Sequence, residues 1–249
     1  MKGYKIAYVI ENDGDFEVRY PALVILDISD NAAKITPEDR FEMGLRWDGH
    51  VADRNWESLY HSYIKYRHHS DKALFNEYLE KSSKVKLDRR AKALGVNVYG
   101  SWSERFKDEF MCISRFIHAS KCRASHAKVV DIIGLMDNEH HTHANSFFDD
   151  KFVYTVGEDV SPSSGMFNAN EFDICGSGIH YFETATLAVL FAIDGISGGN
   201  SGMYVGQIHA KFMAEQLEIF LGNGGDCGER SDFYVRDESY KEGDIDERT

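Results

Sequence analysis

The chain has 249 residues, 43% of them hydrophobic, 13% aromatic and only three of them proline. That is enough apolar material for one sizeable core and too much for a disordered chain. A net charge of −13 argues against a general grip on nucleic acid, and no stretch approaches the roughly 20 apolar residues of a membrane helix.

The first elements read as strands. Residues 4–10 alternate toward a strand, Glu11–Asp15 supplies a turn, and Phe16–Tyr20 returns as the second arm of a hairpin. Met1–Ile10 runs straight into Glu11–Asp13 without a small-residue cleavage site, so it reads as this strand rather than as a signal peptide. Ala22–Ile28 is a nearly continuous apolar run, as expected of a buried strand.

The middle of the chain carries helical spacing. Thr36 stands before Pro37, Glu38 and Asp39, a cap followed by proline at the first helical position and acids in the first turn. Trp56, Leu59, Tyr60, Tyr63 and Ile64 recur at helical intervals, as do Ala73, Leu74, Tyr78 and Leu79. A basic helical segment is expected over 84–94. Another is expected over 102–118, with Trp102, Phe106, Phe110, Ile113 and Ile117 on one face. These aromatic stripes read as core.

After Cys122 the period returns to two. Ala127–Ile133, Lys151–Val156, Gly178–Phe182, Met203–Ala210 and Asp232–Arg236 read as strands, and Glu183–Ile193 and Phe212–Phe220 as helices. The expected fold is α+β, with a mixed or antiparallel β core built from the N-terminal hairpin and the C-terminal half. The core domain spans 1–35 and 118–249, and 36–117 is an inserted helical lobe.

Charge is unevenly spread. Residues 84–128 hold eleven basic side chains against four acidic ones, whereas 226–249 hold nine acids against four bases. The basic stretch reads as a solvated helix face that can also meet a phosphate-bearing ligand. Cys112, Cys122, Cys175 and Cys227 show no Cys-x-x-Cys spacing, which predicts free thiols in a reducing compartment, the cytoplasm.

The densest local pattern is Cys175-Gly-Ser-Gly-Ile-His-Tyr-Phe182 and the apolar helix after it. Gly176 and Gly178 permit close backbone approach or positive φ, and Thr184 or Thr186 is placed to cap the helix, whose N-terminus favours an anion. Cys175 reads as a small buried hydrophobe at a strand entry. The run Glu139–His143 carries three histidines, but so compact a set needs a remote further ligand. It reads as an exposed loop, and no metal is assigned. Gly222–Gly228 lacks the lysine and hydroxyl residue of a phosphate loop and reads as a plain loop.

Three stretches, Lys121–Val130, Phe152–Gly157 and Cys175–Phe182, together resemble an uncharacterised domain family found in bacteriophages, giant viruses and some bacteria. The resemblance covers about half the chain, passes over 36–117, and implies a viral accessory protein acting in host cytoplasm. Gly176–Phe182 is also similar to the Gly-x-Gly-Ile-Tyr-Phe signature of ADP-ribosyltransferases. That similarity implies a site for NAD, with His180 at the tyrosine position, Tyr154 at the position of the ribose-holding histidine, and Asp232 near that of the catalytic glutamate. Gly176 and Gly178 would shape the approach, Tyr181 would contact ring or ribose, and Arg123 or Lys121 would neutralise phosphate. Two other readings remain open: a non-catalytic binder of a host protein, using 36–117 and the acidic tail, or a structural virion component.

Overall fold

A computed structural model describes residues 1–13, 16–46, 54–81, 102–147, 149, 151–170, 173 and 175–195. The expected strands at 203–210 and 232–236, the helices at 84–94 and 212–220, and the loop at 222–228 lie outside the described residues, as does Asp232.

The fold is α+β. A long antiparallel hairpin of β1 (Lys2–Asp13) and β2 (Phe16–Asp27) forms its centre. Around it, β5 (Ala127–Gly134), β6 (His143–Ser146), β7 (Val153–Thr155) and β8 (Asp159–Val160) complete a six-stranded antiparallel sheet in the order β7-β6-β1-β2-β5-β8. A second sheet joins β3 (Lys34–Ile35), β4 (Cys122–Ala124) and β9 (Ile179–Tyr181), with β4 central.

The sequence suggests a break in β2 at Pro21, yet the strand runs through it. The ladder with β5 ends at Ala22–Gly134, and the Pro21 carbonyl, one residue beyond, accepts the Leu135 N–H at 2.9 Å. The missing proline N–H faces that same side, so what is absent is the one reciprocal bond to Leu135, beyond the end of the ladder.

The two sheets meet on one edge of β1. Tyr4 and Phe182 exchange both backbone hydrogen bonds at 2.8 Å, while Ala7 and Tyr8 pair with β6 on the same edge. Alternation along β1 then sorts side chains. Ile6 joins the helical core, whereas Ala7 and Val9 join a second core with Ala22, Val24 and Leu26 of β2 and Cys122, Ala124, Ile179 and Tyr181 of the small sheet.

Helices α1 (Pro37–Arg46), α2 (Arg54–Tyr66), α3 (residues 71–81), α4 (Trp102–Ala119) and α5 (Ala185–Gly195) supply the first core. The expected cap is present as a reciprocal box. Thr36 Oγ1 accepts the Asp39 N–H at 3.2 Å, and Asp39 Oδ2 accepts the Thr36 N–H at 2.9 Å. Phe41, Trp56, Tyr63, Phe110 and Ile113 pack in one continuous cluster with Ile6, Leu23, Phe182 and Leu190. The helices of 36–117 therefore share their core with the sheet. α5 carries no acid in its first turn and no base in its last, and is buried along most of its length. No helix of the described residues is long and apolar enough to cross a membrane.

A β-bulge sets the register of β5. Val129 pairs with Leu26 and Asp131 with Ile25, leaving Val130 as the extra residue, 47% exposed, while Val129 is fully buried. Val129→Ala is expected to cost about 2–3 kcal/mol in urea denaturation, and Val130→Ala less than about 0.5 kcal/mol. Equal costs would contradict this register.

Candidate ligand-binding site

The site follows from the shared edge of β1. Lys5 lies between Tyr4, bonded to Phe182, and Ala7, paired with Ser146. Its ammonium donates to the His180 carbonyl at 3.3 Å and stands 5.9 Å from the centre of the Tyr154 ring. Tyr154 of β7 and His180 of β9, predicted to share a site, thus meet through a lysine that sequence reading did not select.

A signal for Lys5 was present. Gly3, Lys5, Ala7 and Val9 form one parity of a strand that is apolar on both faces, so a lysine there is carried inward.

β4 and β9 arrange the remaining groups. Arg123 pairs with His180 across the ladder, and Cys122 with Tyr181, so the two pairs project to opposite faces. Tyr181 is 0% exposed in the core, close against Gly3 and Ile28. Tyr181, named above for contact with a ligand ring, therefore faces the core, and His180 faces the other way.

Arg123 organises the loop before β9. Its guanidinium donates to the carbonyls of Asp173 and, at 2.8 Å, Asn170, and lies 5.7 Å from the Phe167 ring centre. A Cβ at Gly176 would sit 2.3 Å from Arg123 Nη1, and one at Gly178 would sit 2.2 Å from Arg123 Cγ. The close approach these glycines permit is taken by the protein's own arginine. Cys175, expected to be buried, is exposed, because it lies in this loop with its N–H on Asp173 Oδ1 at 3.2 Å. Thr184 caps α5 through the Leu187 N–H at 3.2 Å, whereas Thr186 is fully buried.

The electrostatics are one-sided. Burial, with Lys121 nearby, pushes the Lys5 ammonium down to about 8. Burial likewise lowers Lys121, whose ammonium lies 5.1 Å from the Phe191 ring centre. Burial and then the charges of Lys121, Lys5 and Arg123 push His180 down to about 3, so its imidazole is neutral. His180 Nε2 lies 2.8 Å from the Gly176 carbonyl and must carry the proton there. Nδ1 is then a buried acceptor with no donor opposite it among the described residues. Neither Lys5 nor Lys121 makes an ion pair with a carboxylate among the described residues.

The three histidines of 140–143 do not act as a unit. His140 pairs with Asp131 at 3.0 Å and His143 is exposed on β6, while His141 is half-buried against Tyr20.

Residues 114–188 match the model of a family of unknown function, DUF5758. The matched segment contains Lys121, Arg123, Tyr154 and His180 and all three stretches whose order resembles an uncharacterised family. No curated protein and no solved structure matches the chain.

Gly178→Ala is expected to lower stability by roughly 1–3 kcal/mol in chemical denaturation, because the pinned Arg123 stem cannot move aside without releasing the Asn170 and Asp173 carbonyls. A neutral result would show that the arginine packs loosely.

Proposed function

We propose that the chain binds a phosphate-bearing, nucleotide-like ligand, NAD first among candidates, at the cluster of Lys5, Lys121 and His180 backed by Tyr154. In this reading it is a viral-type accessory protein working in host cytoplasm, on a scaffold resembling the ADP-ribosyltransferases. The observation that carries the proposal is the pair of half-buried lysines, with no carboxylate on either among the described residues, beside a histidine whose bare Nδ1 lacks a donor. Desolvating ammonium groups costs stability unless an anion compensates, and such arrangements concentrate at functional sites. A phosphate would neutralise the lysines, and a hydroxyl or amide of the same ligand would donate to Nδ1.

The division of labour differs from the expected one. Arg123 is engaged by loop carbonyls, so Lys5 and Lys121 supply the charge. Tyr154, 2% exposed in the second core, backs the Lys5 ammonium from behind and is held edge-on by Phe152 at 5.0 Å. Asp232, the foreseen acidic partner, is what this reading needs for transfer rather than binding.

The test is thermal shift with millimolar NAD, ADP and orthophosphate, with adenosine and nicotinamide as uncharged controls. At one hundred times Kd the native state gains about 2.7 kcal/mol, or roughly 5–10 °C for a chain of this size. The shift is expected with the phosphate-bearing compounds, and Lys5→Met and Lys121→Met should abolish it. No shift with any of the three would end the proposal. Nicotinamide release from NAD, lost in Asp232→Asn, would extend it to transfer.

A pH dependence follows from Lys5. Its proton leaves the folded chain near pH 8 but the unfolded chain only near 10.5. Between those values the unfolded state holds more protons, so ligand-free stability gains a rising contribution with pH. Anion binding needs the same proton, so affinity should fall above pH 8, by up to about tenfold per unit. Lys5→Met should raise the ligand-free Tm at pH 7, by roughly 2–4 °C if about 1 kcal/mol of desolvation is relieved.

A further inference from the structure

At the other end of the same hairpin, Glu11, Asp137 and His141 bring their ligand atoms within 4.8 Å of one another. We infer that these three side chains form a binding site for a divalent transition-metal ion of the Zn²⁺ or Mn²⁺ class. The inference is independent of the anion site.

The three groups come from separate stretches fixed by backbone pairing. Glu11 lies on β1 opposite Val18. Asp137 lies in the tight turn closed by Gly134 N–H on the Glu139 carbonyl at 2.9 Å and Asn138 N–H on the Gly134 carbonyl at 3.0 Å. His141 is tied to β5 by its own N–H on the Ile132 carbonyl at 2.9 Å. At Gly134 a Cβ would stand 2.0 Å from Asp137 Oδ1 and 2.9 Å from His141 Nε2. Only glycine there lets the carboxylate and imidazole share this space.

Neither carboxylate has a lysine or arginine partner among the described residues; Asp137 pairs with His141 through Oδ2 and accepts the Glu139 N–H on Oδ1 at 3.0 Å. Two like charges held this close ask for a cation between them. Tyr20 supports the set from β2. Its hydroxyl donates to Glu11 Oε1 at 2.5 Å, lies 3.5 Å from His141 Nε2, and is kept protonated by burial and the Glu11 and Asp137 carboxylates. It acts as the outer partner that orients a ligand, as metal sites commonly require. His141, Asp137 and Tyr20 are half-buried while Glu11 is exposed, so the cluster is walled on the protein side and open to solvent.

One imidazole nitrogen and two carboxylates suit zinc or manganese better than calcium, which prefers six to eight oxygens. Bonds of 2.0–2.2 Å place neighbouring ligand atoms about 3.4 Å apart around the ion, so the side chains need close by only about an ångström. Without metal, His141 Nε2 carries the proton and donates to Asp137 Oδ2 at 3.1 Å. On binding, the ring takes the other tautomer, with its one proton on Nδ1, and the Nε2 lone pair so freed goes to the ion.

Calorimetric titration of the intact chain with zinc chloride tests the site, with manganese and calcium chlorides as comparison. The expected result is one Zn²⁺ per chain, bound more tightly than Ca²⁺. His141→Ala and Asp137→Asn should each weaken it at least tenfold, Tyr20→Phe less, and His143→Ala not at all. Glu11→Gln, at an exposed position, should also weaken it and serves as the test if an inner variant fails to fold. Absence of 1:1 binding, unchanged affinity in the His141 or Glu11 variant, or equal affinity for calcium would overturn the assignment.

Discussion

The reciprocal backbone bridge between Tyr4 and Phe182 is the constraint on which the rest of the arrangement depends. β1 has one edge given wholly to β2, so anything else that pairs with it must share the other edge. β6 takes Ala7 and Tyr8, and the residue after β9 takes Tyr4. Two sheets therefore diverge from one strand edge, with Lys5 and Ile6 between them. Ile6 turns into the helical core, which leaves Lys5 on the opposite face. The same bridge ends β9 beside the sheet and starts α5 three residues later, which places an almost wholly apolar helix against Ile6 and Leu23.

Three cations near His180 serve different ends because arginine and lysine differ chemically. Arginine's planar fork holds several carbonyls at once and keeps its charge when buried. Arg123, at 1% exposure, uses that fork to shape the loop from Asn170 to Gly178, and the two glycines give it room. Lysine is a point charge whose proton yields to burial, so Lys5 and Lys121 remain responsive to whatever anion arrives. His180 is held as a neutral acceptor by its burial first and then by the same positive field.

Local pattern was legible where local forces decide. The N-terminal hairpin, the Thr36 cap and the apolar run at 185–193 each follow from a few neighbouring residues, and the α+β class follows from their order, although Glu11–Asp13, expected in the turn, continue β1. The glycines of 176–178 were visible too, but whether an internal side chain or a ligand fills the space above a glycine depends on a strand fifty residues away. Tyr181 and His180 were paired as neighbours in sequence, yet strand alternation separates them. The parity of β1 marks Lys5 as inward, but its neighbours, and the Glu11–Asp137–His141 set, depend on which distant segments flank the β1–β2 hairpin, and no period in the sequence carries that information. Cys175 was misplaced for the same reason, since its exposure is set by the loop that Arg123 holds.

The two clusters of opposite sign sit on one strand face. Lys5 and Glu11 have the same parity on β1 and are six residues apart, about 20 Å along an extended strand. That exceeds the Debye length of about 8 Å at physiological ionic strength, so charge at one end is screened from the other. Between them lie Ala7 and Val9, both packed into the second core. Any coupling must therefore pass through rigid movement of the β1–β2 hairpin and not through its electric field. A metal at the Glu11 end would leave the lysine protons, and so the pH dependence of anion binding, where they were, while tightening the turn-bearing end of the hairpin on which Lys5 is mounted.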